Sequence, residues 1–471
     1  MKLTGFLFAA ALLGACTQPA AEENYTRHVD PKIGTGGHGH VFVGANVPFG
    51  LVQVGPTSIP QTWDWCSGYH ASDSTVIGFS HTHLSGTGIG DLFDVTVMPV
   101  TGNVTYARGT EDDPTSGLWS YADRTQEIAR PGYYSVPLTR YGIRAELTAT
   151  ARVGLHRYTF PASDAAAVVF DLENGGCWDK ATETHLAKEG DRTVTGWRHS
   201  TGWAKDQRVY FAAEFSKPFE KFETIGDNYA RASFRTTDGE QVSLKVALSP
   251  VSVEGARENL AAELPGWDFE ETAKAADKAW NDELSKVKIE TEDETSKRIF
   301  YTALYHTMVA PSLFCDVNGD YYGSDHAIHR NADFTNYTTF SLWDTYRAAM
   351  PLMTVLHPEK MADIVQTMLT ISDEQGRLPV WHLWGNETDC MVGNPGIPVV
   401  ADAIVKGIGG FDREKAFEAI RKTAMNPDRG NGLRMEYGYI PCEMFNEAVA
   451  YDMEYCLLYT SPSPRDVEES R

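Results

Sequence analysis

Basic residues are scarce in this chain of 471: 41 Lys and Arg stand against 64 Asp and Glu, a net charge of −23. So acidic a surface repels a polyanion, which excludes nucleic acid as a partner and suits an extracytoplasmic protein acting on a neutral substrate. Cysteine is sparse too. There are seven, none in a CxxC pair, so zinc-ribbon and thioredoxin-like sites have no support. Glycines gather in VDPKIGTGGHGHVFVGANVPFGLVQVGPTS, residues 29–58, but no Gly-Lys-Ser/Thr follows and no helical pattern opens after them. Closely packed turns at a domain junction fit this stretch better than a phosphate loop. No apolar run is long enough to cross a bilayer as a helix. No internal repeat and no low-complexity tract precedes residue 460.

The N-terminus carries the first positive signal. Lys2 and the apolar run Phe6 to Leu12 read as a signal peptide. Leu13-Gly14-Ala15-Cys16 then resemble a bacterial lipobox, in which the cysteine sulfur takes a lipid. Residues 1–24 are accordingly read as leader and tether, with Cys16 lipidated and the anchor as the only membrane contact. Thr17, in place of Asp, points to the outer membrane, on its periplasmic or surface face. The alternative is an ordinary leader with a chance cysteine.

The rest divides by period. Residues 25–267 read as β, and Ile143 to Thr150 alternates apolar and polar as a strand with one buried face does. HRYTFP, AAVVFDLE and VSLKVALSP are similar, and many short strands between Gly, Pro and Asp predict an antiparallel sandwich. Residues 268–292 are charged and helical, a linker. In 293–456, Ile299, Phe300, Ala303, Leu304 and Met308 form one helical stripe. Further helices are expected near 341–356, 358–374, 398–408, 412–425 and 443–456, with Pro358 in a first turn. Paired helices with long loops predict part of an (α/α)6 toroid.

Four clusters carry chemistry. Two His-x-His pairs, His38/His40 and His81/His83, place both rings on one face of a strand, as a metal site needs. No carboxylate pattern flanks them, and buried histidines holding loops together explain them as well. Trp63 and Trp65 form either a wall for a sugar ring or core. Trp343, Asp344 and Arg347 open a helix; Asp344 can bind sugar hydroxyls beside the stacking indole, cap the helix, or pair with Arg347. In LPVWHLWGNETDC, Glu387 is either a general acid or a partner for a backbone turn.

Taken together, GFSHTHLSGTG, GIRAELTATARVGLHRYTFP, FSLWDTYRAAMPL and the run GNETDCMVG to KGI resemble glycoside hydrolase family 92, in order and spacing, over residues 25–456. The resemblance implies a multi-domain β + α protein, an N-terminal antiparallel β-sandwich followed by an (α/α)6 toroid. It implies an exo-acting, calcium-dependent α-mannosidase that inverts, with N-glycans or mannans as substrates. Inversion needs two carboxyl groups separated enough to hold a water. By the resemblance, Trp65 supplies an aromatic wall, and Trp343 and Asp344 bind the mannose. The acid, base and most calcium ligands lie in motifs beyond Glu454-Tyr455, so no catalytic residue is assigned here unless Glu387 is the acid.

The family continues this helix toward an Asp-Trp pair. Here CLLYTSPSPRDVEESR follows, and Pro462 and Pro464 break the helix. Residues 457–471 read as a tail foreign to the family, and the chain as a fragment that lacks turnover. The alternative function is a non-catalytic mannoside-binding lipoprotein of the same fold.

Overall fold

The computed structural model of the protein describes residues 23–460, apart from 114, 176 and 177. Cys16 with the leader, and residues 461–471 of the tail, lie outside the described residues. Alternation builds the first half. Ile143–Ala149 directs Ile143, Ala145 and Leu147 inward and pairs with Tyr133–Leu138 on one side and Val153–Phe160 on the other. These belong to an eight-stranded sheet in the order Lys180–Glu189, Thr193–Thr201, Gln207–Phe215, Glu240–Ser249, Val153–Phe160, Ile143–Ala149, Tyr133–Leu138, Ile128–Arg130. A six-stranded sheet, Gly55–Thr57, Gly78–Ser80, Thr96–Thr101, Ser163–Asp171, Tyr229–Thr236, Lys221–Ile225, packs against it. Every pairing in both sheets is antiparallel. The predicted sandwich followed by a helical domain is the observed architecture.

The boundary differs from the expectation. The last sandwich strand ends at Ser249, and residues 253–263, read as part of the β half, form helix α1 (Val253–Glu263). Ser252 caps it by accepting the Gly255 amide, a start signal that the few apolar positions of the segment obscure. Helix α2 (Phe269–Leu284) then lies across the outer face of the eight-stranded sheet. It buries the polar side of Ile143–Ala149, which alternation alone places in solvent. There Glu146 receives Arg157 at 2.7 and 2.8 Å and Tyr133 at 2.9 Å, and the Arg157 guanidinium sits 4.2 Å over Phe269.

Helix α3 (Glu294–His306) starts at Asp293, whose carboxylate accepts the Thr295 and Ser296 amides. Its buried face is Tyr301, Leu304, Tyr305 and, one residue past the cap, Met308; of the predicted stripe Leu304 and Met308 are buried and Phe300 is half-buried against the core, while Ile299 and Ala303 are exposed. The two tyrosines can be buried because their hydroxyls reach Val287 O and Asn46 Oδ1. The helix predicted over 341–356 is two, α4 (Leu342–Thr345) and α5 (Ala349–Leu356). Pro351 accounts for the break, since it has no N–H and its ring crowds the carbonyl of residue 347. Helix α6 (Pro358–Gln375) has proline in its first turn and ends on left-handed Gly376. Helices α7 (Gly396–Val405), α8 (Arg413–Ala424), α9 (Asn431–Tyr437) and α10 (Ala448–Thr460) complete the described residues; α9 is not foreseen in the sequence.

The halves are sewn together. Tyr25, Val29, Phe42 and Phe49, from the first half, join the core of the helices. Asn46 takes the Trp280 indole N–H on its carbonyl at 2.7 Å and the Tyr305 hydroxyl on its side chain at 3.3 Å. Backbone bonds run from Phe49 N to Met308 O and from Leu313 N to Phe49 O.

Candidate functional site

A pocket of about 260 Å³ opens where the two halves meet. One wall is Ser85, Gly86 and Thr87, a loop of the sandwich. The facing wall is His306 and Thr307 at the end of α3, with Ser341, Asp344 and Thr345 around α4. Pro311, Met350 and Met353 give it apolar surface. Thr339, which also lines the pocket, holds φ at 64°. A β-branched residue in that region costs about 1–3 kcal/mol and persists only where its surroundings enforce it.

Asp344 is exposed to the pocket and accepts the Ser341 hydroxyl at 2.6 Å. The two structural roles open to it in the sequence are not the ones it takes. The N-cap of α4, Ser341, makes no side-chain cap, and Arg347 turns instead to Glu454 (2.9 Å) and Tyr346. Its carboxylate therefore faces the pocket with no cation bound to it among the described ion pairs. His306 is the group that sequence reasoning missed. Its Nε2 is buried and has no hydrogen-bond partner among the described residues, and burial pushes its pKa down to about 4, so the ring is neutral. Its place at the C-terminal end of a helix that runs into the 310–313 segment is the only signal the sequence offers.

Trp343 does not line the pocket. Arg347 lies 4.8 Å over its ring, and its indole N–H is buried without a partner. Trp65 lies elsewhere. It is absent from the pocket wall; its indole stacks on His70 at 4.3 Å and donates to Asp73 at 2.6 Å. Trp63 is the nearer tryptophan. It is half exposed, donates to Gly88 O at 2.8 Å, and so lies against the loop that forms the pocket wall. Any side chain at Gly88 would meet this indole at 2.5 Å.

Glu387 takes the structural of its two roles. It accepts the amides of Val380 (2.8 Å), Trp381 (2.9 Å) and Asp389 (3.0 Å) and is no part of the pocket. The His-x-His pairs divide. His81 and His83 are buried on Val95 O and Gln53 O and hold loops. His38 is exposed and sits 2.5 Å from Asp64, with His40 at 3.6 Å from the same oxygen.

Calcium takes six to eight oxygen ligands at 2.3–2.6 Å. Among the described residues, one group of three His, Cys, Asp or Glu side chains converges: Asp325, His329 and Glu374. It has an imidazole and too few oxygens, and it is not in the pocket, so it does not fit calcium and no step is derived through that ion.

Comparison with known proteins agrees along the chain. The sequence model of the Glycosyl hydrolase family 92 N-terminal domain matches residues 28–249, and that of the family's catalytic domain matches residues 255–459. The chain superposes with a TM-score of 0.89, at 38% identity, on a family GH92 α-mannosidase from Bacteroides thetaiotaomicron solved with mannoimidazole, covering 93% of this chain and 60% of that one. A family GH92 inverting mannosidase from the same species gives 0.81 at 27% identity, covering 92% and 61%. An uncharacterized secreted glycosidase of Arthroderma benhamiae is 26% identical over 90% of this chain and 56% of its own length. The chain thus spans about three fifths of the length of the relatives it matches.

Proposed function

Since the chain belongs to glycosyl hydrolase family 92, we propose that it forms the mannose-binding wall of an exo-acting, inverting α-mannosidase. Asp344 carries the reading. It is a carboxylate without a cation partner among the described residues, in a pocket built by both domains and also lined by His306. A volume of about 260 Å³ is below the usual 300–1,000 Å³ of sites for larger ligands and suits one terminal sugar ring. Similarity to α-mannosidases supports the choice of sugar.

Within the pocket, Asp344 accepts hydrogen bonds from ring hydroxyls while Ser341 fixes its carboxylate. Neutral His306 donates or accepts one more. Met350, Met353 and Pro311 exclude water from the apolar edge of the ring. Inversion needs an acid and a base about 6.5–9.5 Å apart. Asp344 is the one carboxylate in the pocket wall among the described residues. The proposal is therefore that these 471 residues bind mannosides without turning them over, and that a completed enzyme adds the acid, the base and calcium.

The assay is hydrolysis of an aryl α-mannoside, with and without calcium, by this chain and by a version extended to the full length of its relatives. Turnover by the extended form alone, abolished by chelation, supports the proposal. Binding without turnover in both makes the protein a mannoside-binding lipoprotein. Turnover by this chain that Glu387→Gln abolishes refutes the placement of the chemistry. The proposal places the protein outside the cytoplasm, held at the outer membrane by a lipid on Cys16; Cys16→Ser then releases it from membranes, and unchanged fractionation refutes the anchor.

A further inference from the structure

The residues 321–329 form a short hairpin in which Tyr321 pairs with His329 and Tyr322 with Ile328. Its turn carries Asp325, whose carboxylate accepts the Ala327 amide at 3.0 Å and is thereby aimed back along the hairpin. The last turn of α6 brings Glu374 to the same point. Three side chains of the kind that bind metals converge there, outside the pocket described above.

The distances within this cluster decide between two explanations. His329 Nε2 has Asp325 Oδ1 at 3.1 Å, Asp325 Oδ2 at 3.2 Å and Glu374 Oε1 at 3.4 Å. A charge-assisted N–H···O bond is about 2.7–2.9 Å, and one N–H serves one oxygen well. The two contacts to Asp325 lie within the ordinary N–H···O range but share one nitrogen, and the Glu374 contact lies beyond it. The lengths at His329 also match the edges of a coordination shell. Ligands held about 2.0–2.1 Å from a tetrahedral ion stand roughly 3.3 Å from each other.

The surroundings are arranged as a metal site needs. Glu374 is fixed by the Tyr321 hydroxyl at 3.0 Å and the Ser324 amide at 2.7 Å. The Tyr321 ring lies parallel to His329, 4.8 Å away and tilted by 8°. Gly323 is a second, independent observation. A Cβ there would lie 2.7 Å from both Asp325 Oδ1 and His329 Nε2. Its φ is not in the left-handed region, so its conformation does not require glycine. What requires glycine is the space beside the converging atoms. Asp325 and His329 are each about one third exposed, which leaves a path for an ion and a position for water.

We propose that Asp325, His329 and Glu374 bind a divalent transition-metal ion of the zinc class, with water as fourth ligand. One imidazole and two carboxylates suit zinc and not calcium. The ion locks the hairpin to the end of α6, next to the Tyr322–Asp206 bond of 2.9 Å that ties the hairpin to the sandwich.

The test is calorimetric titration of the metal-stripped chain with zinc chloride, alongside thermal melting and the visible spectrum of the cobalt(II) form. One zinc per chain, a melting temperature raised by zinc and not by calcium, and four- or five-coordinate cobalt bands are expected. Asp325→Asn and His329→Gln abolish binding. Tyr321→Phe, which loses one outer contact and keeps its ring, weakens it about 10-fold. Gly323→Ala weakens it while the chain stays folded. No stoichiometric zinc, or zinc binding unchanged in both His329→Gln and Gly323→Ala, overturns the proposal and leaves an imidazole between two carboxylates. Asp325 lies on an exposed turn, so Asp325→Asn reports even where His329→Gln fails to fold.

Discussion

His81 and His156 meet nitrogen to nitrogen, Nε2 to Nε2 at 2.9 Å, in the fully buried interior of the sandwich. Their neighbours order the protons. His81 Nδ1 must donate to Val95 O, and the Tyr158 hydroxyl donates to His156 Nδ1. That leaves His156 Nε2–H as donor to His81 Nε2, with both rings neutral. A proton added to His81 sets two N–H groups against each other.

Acid should therefore weaken the fold. Burial pushes His81 down to about 4, His83 and His382 down to about 3, and His156 well below the usual range. Unfolded histidines titrate near 6.5, so between there and about 4 the unfolded chain binds more protons and stability falls as pH falls. His81 alone contributes roughly 3 kcal/mol, at about 1.4 kcal/mol per unit. Asp171 and Asp316, pushed up to about 6 by burial, act in the opposite direction below 6 and offset part of the loss. Urea midpoints at about pH 7 and about pH 4.5 measure the balance, and a midpoint that rises on acidification contradicts it.

Asp344→Ala should leave the melting temperature near that of the parent, because this exposed carboxylate supports only Ser341. In an extended, active enzyme it should lower kcat/KM by on the order of 100-fold, since bonds to the ring strengthen as the ring distorts. Kinetics with an aryl α-mannoside that move by less than a factor of about two remove Asp344 from the site.

Glu387→Gln should do the reverse. Its carboxylate holds three backbone amides, and an amide side chain offers only one oxygen. A loss of about 1–3 kcal/mol is expected by denaturant unfolding, with kcat of an active form retained.

Arg198→Met should be among the costliest changes. The guanidinium is 0% exposed and bridges Asp94 and Asp179, each at 2.7 Å, while its Nε donates to Leu172 O. Removing it strands two buried carboxylates, at about 3–5 kcal/mol. Adding Asp94→Leu and Asp179→Leu should recover part of that; a triple variant weaker than Arg198→Met argues against an ionic cause.

The sandwich is legible in the sequence because residues such as Ile143, Ala145 and Leu147 obey a period of two that few other structures share. Helix α6 is legible from Pro358 and Gly376. What escapes notice depends on contacts between distant residues. The stripe on α3 omits Tyr301 and Tyr305 because they look amphipathic until Val287 and Asn46 receive their hydroxyls. Trp65 and Trp63 are two positions apart, and only the Asp73 carboxylate and the Gly88 carbonyl decide which of them turns inward from the pocket loop. The Asp325, His329 and Glu374 cluster has no short spacing to announce it, since Glu374 comes from another element.

The bonds that Asn46 makes to Trp280 and Tyr305 span 234 and 259 residues. At about 5–20 residues per second, a ribosome needs roughly 10–50 s to deliver those partners. Throughout that interval Val29, Phe42 and Phe49 of the nascent chain lack the helical core they join, and Phe42 has sandwich residues such as His83 beside it. The opening segment is thus a client for whatever binds exposed apolar strands during synthesis. A stall after Ser249 and before Trp280 leaves a finished sandwich with an unmatched flap at its edge.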